Sequence, residues 1–219
     1  MRKVVLSTVI LVIGQFASYA CSGQELTLNF DKEDIGKAPT GWNIEATNAR
    51  GEIASWKVMA DLHNGQDTKV LGMTKANDDF GGTFNLCWID SIQFKDGEIE
   101  VSFKALKGVV DQGGGPIWRV KDMNNYYIAR ANPLENNFRL YYVKDSSRKT
   151  LDSARVKVPA NQWHVIKIVH TGEKIEGYLN GEKLLECIDD TFTEAGGIGL
   201  WTKADAVTNF DDIKLKHSK

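Results

Sequence analysis

The chain has no long run of one charge, no low-complexity tract, no fixed-period repeat and no helical pattern that persists for three turns. Lys and Arg number 27 against 29 Asp and Glu. A net charge this close to zero argues against nucleic acid and against electrostatic attachment to a membrane. Histidines number four and cysteines three, with no His-Cys or His-Glu spacing that suggests zinc. His164 and His170 lie six apart, and His63 and His217 stand alone. The one glycine-rich turn, DQGGG at 111–115, has neither a following helix nor a Lys-Ser/Thr pair, so it does not fit a phosphate loop. Nothing points to a nicotinamide, flavin, haem or nucleotide.

Apolar runs are also few. Arg2 and Lys3 precede an apolar stretch from Val4 to Phe16, broken by Ser7, Thr8, Gly14 and Gln15, and small residues follow at Ala17, Ser18 and Ala20. This is the layout of a signal peptide over residues 1–20, and the run is too short to span a bilayer comfortably. Ser18 and Ala20 suit ordinary cleavage. Cys21 directly after Ala20 equally suits a lipoprotein signal with a lipid anchor, although Tyr19 is bulky for one. The mature chain is then expected outside the cytoplasm, secreted, periplasmic or anchored to the envelope. Lipidation of Cys21 would leave Cys87 and Cys187 as an even pair, either a disulfide or two buried thiols. Residues 21–219 are expected to form one domain, since about 200 residues bury roughly 70% of the unfolded surface in a single core.

What is present is strand pattern nearly throughout. In EIEVSFKA, 98–105, Ile99, Val101, Phe103 and Ala105 alternate with Glu98, Glu100, Ser102 and Lys104, a strand with one wet face. Asn180-Gly181 between two strand patterns marks a tight hairpin, because both turn residues take positive φ. Further strands are expected near 26–30, 52–58, 69–73, 83–89, 117–121, 126–131, 138–144, 163–170, 197–202 and 210–216. A dozen short strands with frequent turns make an all-β, two-sheet antiparallel sandwich.

The segment Asp111–Tyr142 concentrates aromatic and guanidinium groups on strands, which suits a polar, planar ligand such as a sugar ring. The apolar pattern places Trp118, Val120, Tyr126 and Ile128 on one core face, with Arg119 and Tyr127 on the other. Arg130 then sits at a strand end on the core side, with Glu135 or Asp122 to pair with it. One residue of register slip would reverse these faces. Trp201 is a stacking platform or a core residue, and Lys203 a polar contact. Gln112, in the glycine turn, and Trp118 join Tyr127, Trp201 and Lys203 as substrate-binding candidates.

Several segments resemble the concanavalin A-like lectin/glucanase superfamily: NFDKEDIGKAPTGW from Asn29, DGEIEVSFK from Asp96, GGPIWRVKDMNNYYIAR from Gly114, QWHVIKIVHTGEKIEGYLNGEKL from Gln162 and AGGIGLWTKADAVTNFDDIKL from Ala195. The resemblance implies a jelly roll of two curved sheets. Within that group the chain looks like secreted bacterial proteins with the 3-keto-disaccharide hydrolase domain, a family 16-like glycoside hydrolase group. The E-x-D-x-x-E acid pattern of family 16 laminarinases is incomplete: Glu98 and Glu100 share a strand face, but Ser102 and Phe103 follow.

The resemblance therefore implies one of two activities. The first is elimination-type cleavage of a keto-sugar glycoside, with Glu135 or Asp122 as base and Arg119 and Arg130 as donors to the keto oxygen. The second is a non-catalytic carbohydrate-binding module. It also implies a structural calcium ion between the chain's two ends, at Asp31 and Asp211 or Asp212.

Overall fold

The computed structural model describes residues 25–75 and 81–218. The expected signal peptide and Cys21 lie outside the described residues. Among the described residues fifteen strands run in order: β1 (Glu25–Leu28), β2 (Asn43–Thr47), β3 (Ser55–His63), β4 (Gln66–Lys75), β5 (Phe84–Phe94), β6 (Gly97–Lys107), β7 (Gly115–Asp122) and β8 (Asn125–Asn132). There follow β9 (Asn137–Lys144), β10 (Ser147–Arg155), β11 (Trp163–Thr171), β12 (Lys174–Leu179), β13 (Glu182–Ile188), β14 (Gly196–Lys203) and β15 (Val207–His217). They form two antiparallel sheets. One has the order β13-β12-β11-β6-β15-β4-β3, with β1 paired to β15; the other has the order β10-β9-β8-β7-β14-β5-β2. This is the two-sheet sandwich the strand pattern implied and the jelly roll the resemblance implied.

The core lies between the sheets. Ile99, Val101, Phe103 and Ala105 point into it from β6, opposite Trp118, Tyr127, Ala129 and Leu140 from the second sheet. Burying each such side chain is worth about 1.5–3 kcal/mol. The alternate β6 residues face out: Glu98 pairs with Lys167 and Lys216, and Glu100 with Lys214. These two acids are thus held on the outside of the first sheet, where they line a pocket with Glu25 and the paired lysines.

Hairpin geometry follows turn chemistry. Asn180 and Gly181 have φ of 52° and 86° and join β12 to β13, as their sequence demands. Asp145 and Ser146, at 49° and 65°, do the same for β9 and β10. Cys87 and Cys187 are both free. Burial raises the Cys87 thiol far above its usual range and pushes Cys187 up to about 12, so both behave as small apolar residues.

The expected core face is corrected on β7 and β8: Val120, Tyr126 and Ile128 lie on the sheet's other face, and Tyr127 lies in the inter-sheet core. Arg119 adopts φ of 46°, and the β7–β8 register shifts between Trp118 and Asp122. This bulge sends Trp118 and Val120 to opposite faces. Trp118 stacks on Tyr127 in the inter-sheet core, with centroids 5.5 Å apart. Val120, Tyr126 and Ile128 belong to a second apolar cluster on the other face of the sheet.

Candidate functional site

Every member of that second cluster comes from the seven-stranded sheet: Phe84, Leu86 and Trp88 on β5, Ile117 and Val120 on β7, Tyr126 and Ile128 on β8, Tyr141 and Val143 on β9, and Trp201 on β14. It is the face turned away from the other sheet. Arg148 on β10 lies 5.0 Å from the Phe84 ring, although four strands separate β10 from β5 in the sheet. Asn48, just past β2 at one sheet edge, donates to the Ser146 carbonyl beside β10 at the other edge, at 3.1 Å. The sheet therefore curls until its edges meet, and the aromatic face forms a second buried apolar cluster inside the curl. Gly199 permits part of this packing, since a Cβ there would come within 2.4 Å of Trp88 Cβ. Trp88 is fixed in turn by donation from its indole N–H to Glu45 at 2.8 Å.

A charged cluster of β8, its exit loop and the glycine turn adjoins this face. Arg130 and Asp111 form an ion pair at 3.1 Å, each with its side chain 1% exposed. Asp111 also accepts from Asn132 at 2.9 Å and pairs with Lys203 at 3.0 Å. Its loop is held by Asp205, whose carboxylate accepts from the backbone N–H of Val109, Val110 and Asp111. Burial raises the Asp205 pKa, but these three bonds outweigh it and leave the group below the usual carboxylate range.

Glu135 completes the cluster. Its Oε2 accepts from Arg130 at 2.7 Å and Asn137 at 2.7 Å and pairs with Arg139 at 3.2 Å. Asn132 Oδ1 accepts the Glu135 backbone N–H at 3.1 Å, so the asparagine-rich loop carries its own scaffold. Burial pushes the Glu135 carboxyl up, but Asn137 and Arg130 hold it below its ordinary value. The group is anionic at neutral pH and 43% exposed.

Of the residues singled out in the sequence, Arg130, Glu135 and Lys203 come together here, and Trp201 lies on the adjoining aromatic face. Gln112 is buried next to Asp111 in the chain. Arg119 does not join them. It is 1% exposed and fills four acceptors: the carbonyls of Lys95, Phe192 and Gly172 at 2.9, 2.5 and 3.1 Å, and Asp96 at 3.2 Å. It ties three loops together. Asp122 caps the β7–β8 turn, accepting from Asn124 and Asn125 at the end of β8 remote from Arg130. Tyr127 donates to Asp189 at 2.6 Å from within the inter-sheet core, where Trp118 donates to His170 at 2.9 Å. The sequence reading missed Asp111, Arg148, Tyr141 and Trp88. Asp111 was legible only as part of a turn, because its partner strand lies elsewhere in the fold.

Asp31 and Asp211 lie on the first sheet's outer side, bridged by the Thr68 hydroxyl, which donates at 3.3 and 3.4 Å. Asp212 has φ of 48° at a break in the β15–β6 register, which turns both neighbouring carboxylates toward His63. The His63 Nδ1 is 3.2 Å from Asp211 and 3.7 Å from Asp212. Ligand atoms of these three residues lie within 4.8 Å of one another. The group that could hold a metal ion is thus His63, Asp211 and Asp212, and Asp31 is linked to it through Thr68. His63 looked isolated in the sequence because its partners follow 148 residues later.

A family model described as the 3-keto-alpha-glucoside-1,2-lyase-like domain matches residues 27–216. No curated protein matches the chain. Among solved structures, carbohydrate binding module CBM66 from Bacillus subtilis is similar with a TM-score of 0.60 and 20% identity, covering 81% of this chain and 96% of that one. Domain 4 of AbnA, an extracellular arabinanase from Geobacillus stearothermophilus in complex with arabinotriose, has a TM-score of 0.59 and 14% identity over 90% of this chain and 94% of its own. A lichenase derived from a mouse hindgut metagenome has a TM-score of 0.57 and 12% identity over 89% and 99%. These likenesses show a shared jelly-roll fold. The family match covers most of the chain, and the chain belongs to the 3-keto-alpha-glucoside-1,2-lyase-like domain family.

Proposed function

We propose that this domain binds a keto-bearing glycoside beside Glu135, the exposed carboxylate of the charged cluster, and cleaves it by elimination. The observation that carries the reading is the juxtaposition of Glu135, an ionised carboxylate with hydrogen bonds on one oxygen only, with the buried cation Arg130 and the partly exposed Lys203. A ketone at C3 acidifies the C2 hydrogen. Glu135 takes that proton, the electron pair forms an enolate, and Arg130 and Lys203 stabilise its oxygen. Collapse of the enolate expels the C1 substituent, which leaves as an alcohol after taking a proton from water. Water can then add to the unsaturated sugar. This route needs no pair of carboxylates flanking the bond, consistent with Asp111 being fully engaged by Arg130, Asn132 and Lys203.

The test is turnover by the purified domain of 3-keto and ordinary glucosides side by side. Cleavage restricted to the keto sugars supports elimination. Cleavage of ordinary glucosides alone overturns it. Failure to cleave either set, with saccharide binding retained, favours the second reading, a non-catalytic carbohydrate-binding module. That reading draws on the likeness of the fold to carbohydrate binding module CBM66. The N-terminal pattern supports export, with or without lipid at Cys21, and intact mass of the mature protein distinguishes the two. A calcium ion at Asp31, Asp211 and Asp212 would join the start of the chain to its last strand.

A further inference from the structure

Charge beside His63 is uncompensated. The Asp211 side chain is 3% exposed and that of His63 9%. Asp31, Asp67 and Asp212 line the same pocket, together with Thr68. Among the described residues none of these four carboxylates forms an ion pair with Lys or Arg, and the ionisable partner they do have is the His63 imidazole, its Nδ1 3.2 Å from Asp211 and 3.7 Å from Asp212. A protonated His63 would balance one charge of the four. Asp211 also accepts from the Thr68 hydroxyl and the Asp212 backbone N–H, but neutral donors leave its charge in place. Buried charges are ordinarily paired or bound to a metal.

The imidazole is fixed before any ion arrives. It stacks on Trp163, with centroids 4.3 Å apart and planes 27° from parallel. The Trp163 indole N–H in turn donates to the Leu62 carbonyl, next to His63 in the chain, at 2.7 Å. Little side-chain freedom is left to lose on binding. The ligand atoms within 4.8 Å of one another are one nitrogen and two carboxylate oxygens. Donors bound to one zinc ion at about 2.0–2.2 Å lie no more than about 4.2 Å apart, and both His63 distances already satisfy that. Calcium instead takes about six to eight oxygen ligands, and Asp31 reaches this group only through Thr68. His63 and Asp211 lie 148 positions apart, so no local spacing announces the set.

We propose that His63, Asp211 and Asp212 hold a nitrogen-accepting dication of the zinc type, and that the ion clasps the β3–β4 hairpin to the last strand. The proposal rests on the reading of this cluster as a metal site and adds the imidazole as a ligand that selects the metal. It is independent of the chemistry at Glu135, which belongs to the other sheet. Imidazole with carboxylate suits zinc and its neighbours in the first transition row, whereas calcium gains nothing from the nitrogen. The clasp acts where the ladder is thin. Among the described residues β4 pairs with β15 at Leu71 and Gly72 alone, so the hairpin end is tied down by side chains. Asp61 receives Lys104 at 2.5 Å and Asn209 at 2.6 Å, and the ion would add a further link at His63.

The experiment starts from purified protein freed of metal by chelator and dialysis. Zinc, calcium and cobalt chlorides are titrated in turn near neutral pH, with calorimetry and thermal denaturation as readouts. Zinc should bind about tenfold tighter than calcium or more and should raise the melting temperature further at equal concentration. Bound cobalt, a zinc substitute that absorbs in the visible, should show a band that His63→Gln shifts. His63→Gln should lower zinc affinity about tenfold or more and leave the calcium response in place. The ratio of zinc to calcium affinity is the decisive quantity, because loss of the ring stacked on Trp163 lowers stability for both ions alike. Asp211→Asn should weaken both ions, and circular dichroism checks that each variant is folded. Calcium binding as tight as zinc, or a zinc affinity that His63→Gln leaves unchanged, overturns the nitrogen ligand while the metal site stands. A zinc response that survives Asp211→Asn puts the ion elsewhere and overturns the proposal. Silence toward every metal overturns the metal site and the proposal together.

Discussion

Arg130 and Asp111 form a buried ion pair whose carboxylate is shared with Lys203. Removal of the acid strands two cations in a place water barely reaches. Asp111→Ala should therefore lower the unfolding free energy by about 3–5 kcal/mol, read from urea denaturation. A loss below about 1 kcal/mol would show that water reaches the site and replaces the carboxylate.

Glu135 is more exposed and its loop is braced by Asn132 and Asn137. Glu135→Gln keeps the shape and removes the base. Turnover of a 3-keto glucoside should drop by about a hundredfold or more, with the melting temperature nearly unchanged. Near-normal turnover would take Glu135 out of the chemistry.

His170 has a different consequence. Burial, reinforced by the Arg119 charge, lowers its pKa from 6.5 to about 3. Its Nδ1 accepts the Trp118 N–H, so the neutral ring is the form that fits. The unfolded chain takes up a proton below pH 6.5 while the folded one does not until about pH 3. This contribution is complete above pH 6.5 and is lost as pH falls through that window. The slope approaches about 1.4 kcal/mol per pH unit. Urea unfolding at pH 7 and pH 5 should show the drop, and His170→Asn, which retains an acceptor for Trp118, should flatten it. An unchanged slope in the variant would assign the acid sensitivity elsewhere.

Calcium binding at Asp31, Asp211 and Asp212 should raise the melting temperature. Saturation at a hundred times the dissociation constant corresponds to about 2.7 kcal/mol of stabilisation. Chelation should reverse it, and Asp211→Asn should remove the response. A melting temperature indifferent to calcium and chelator would leave these acids as a hydrogen-bonded network around His63 and Thr68.

Much of the fold was legible because alternation is a local property. The β6 pattern from Glu98 to Ala105 named its own inner and outer residues, and Asn180-Gly181 named its own hairpin. Two strands escaped. NIEAT in β2 and SRKTLDSAR in β10 are sheet-edge strands with few apolar residues, so their pairing partners, rather than their own periodicity, make them strands.

The sequence by itself determined an all-β sandwich, because strand periodicity and turn residues act over a few positions. It also marked Arg130, Glu135, Lys203 and Trp201 by residue type alone. Tertiary structure decided which of the marked residues share a site. One bulge at Arg119 put Trp118 and Val120 on opposite faces, and no local rule reveals where a sheet slips by a residue. Curling of the seven-stranded sheet brought Arg148 to Phe84 across four strands and to Trp201 across three, and the β15 bulge brought Asp211 and Asp212 to His63. Such meetings depend on long-range pairing and twist, which are set by the packing of the whole sandwich and not by the neighbours of any one residue.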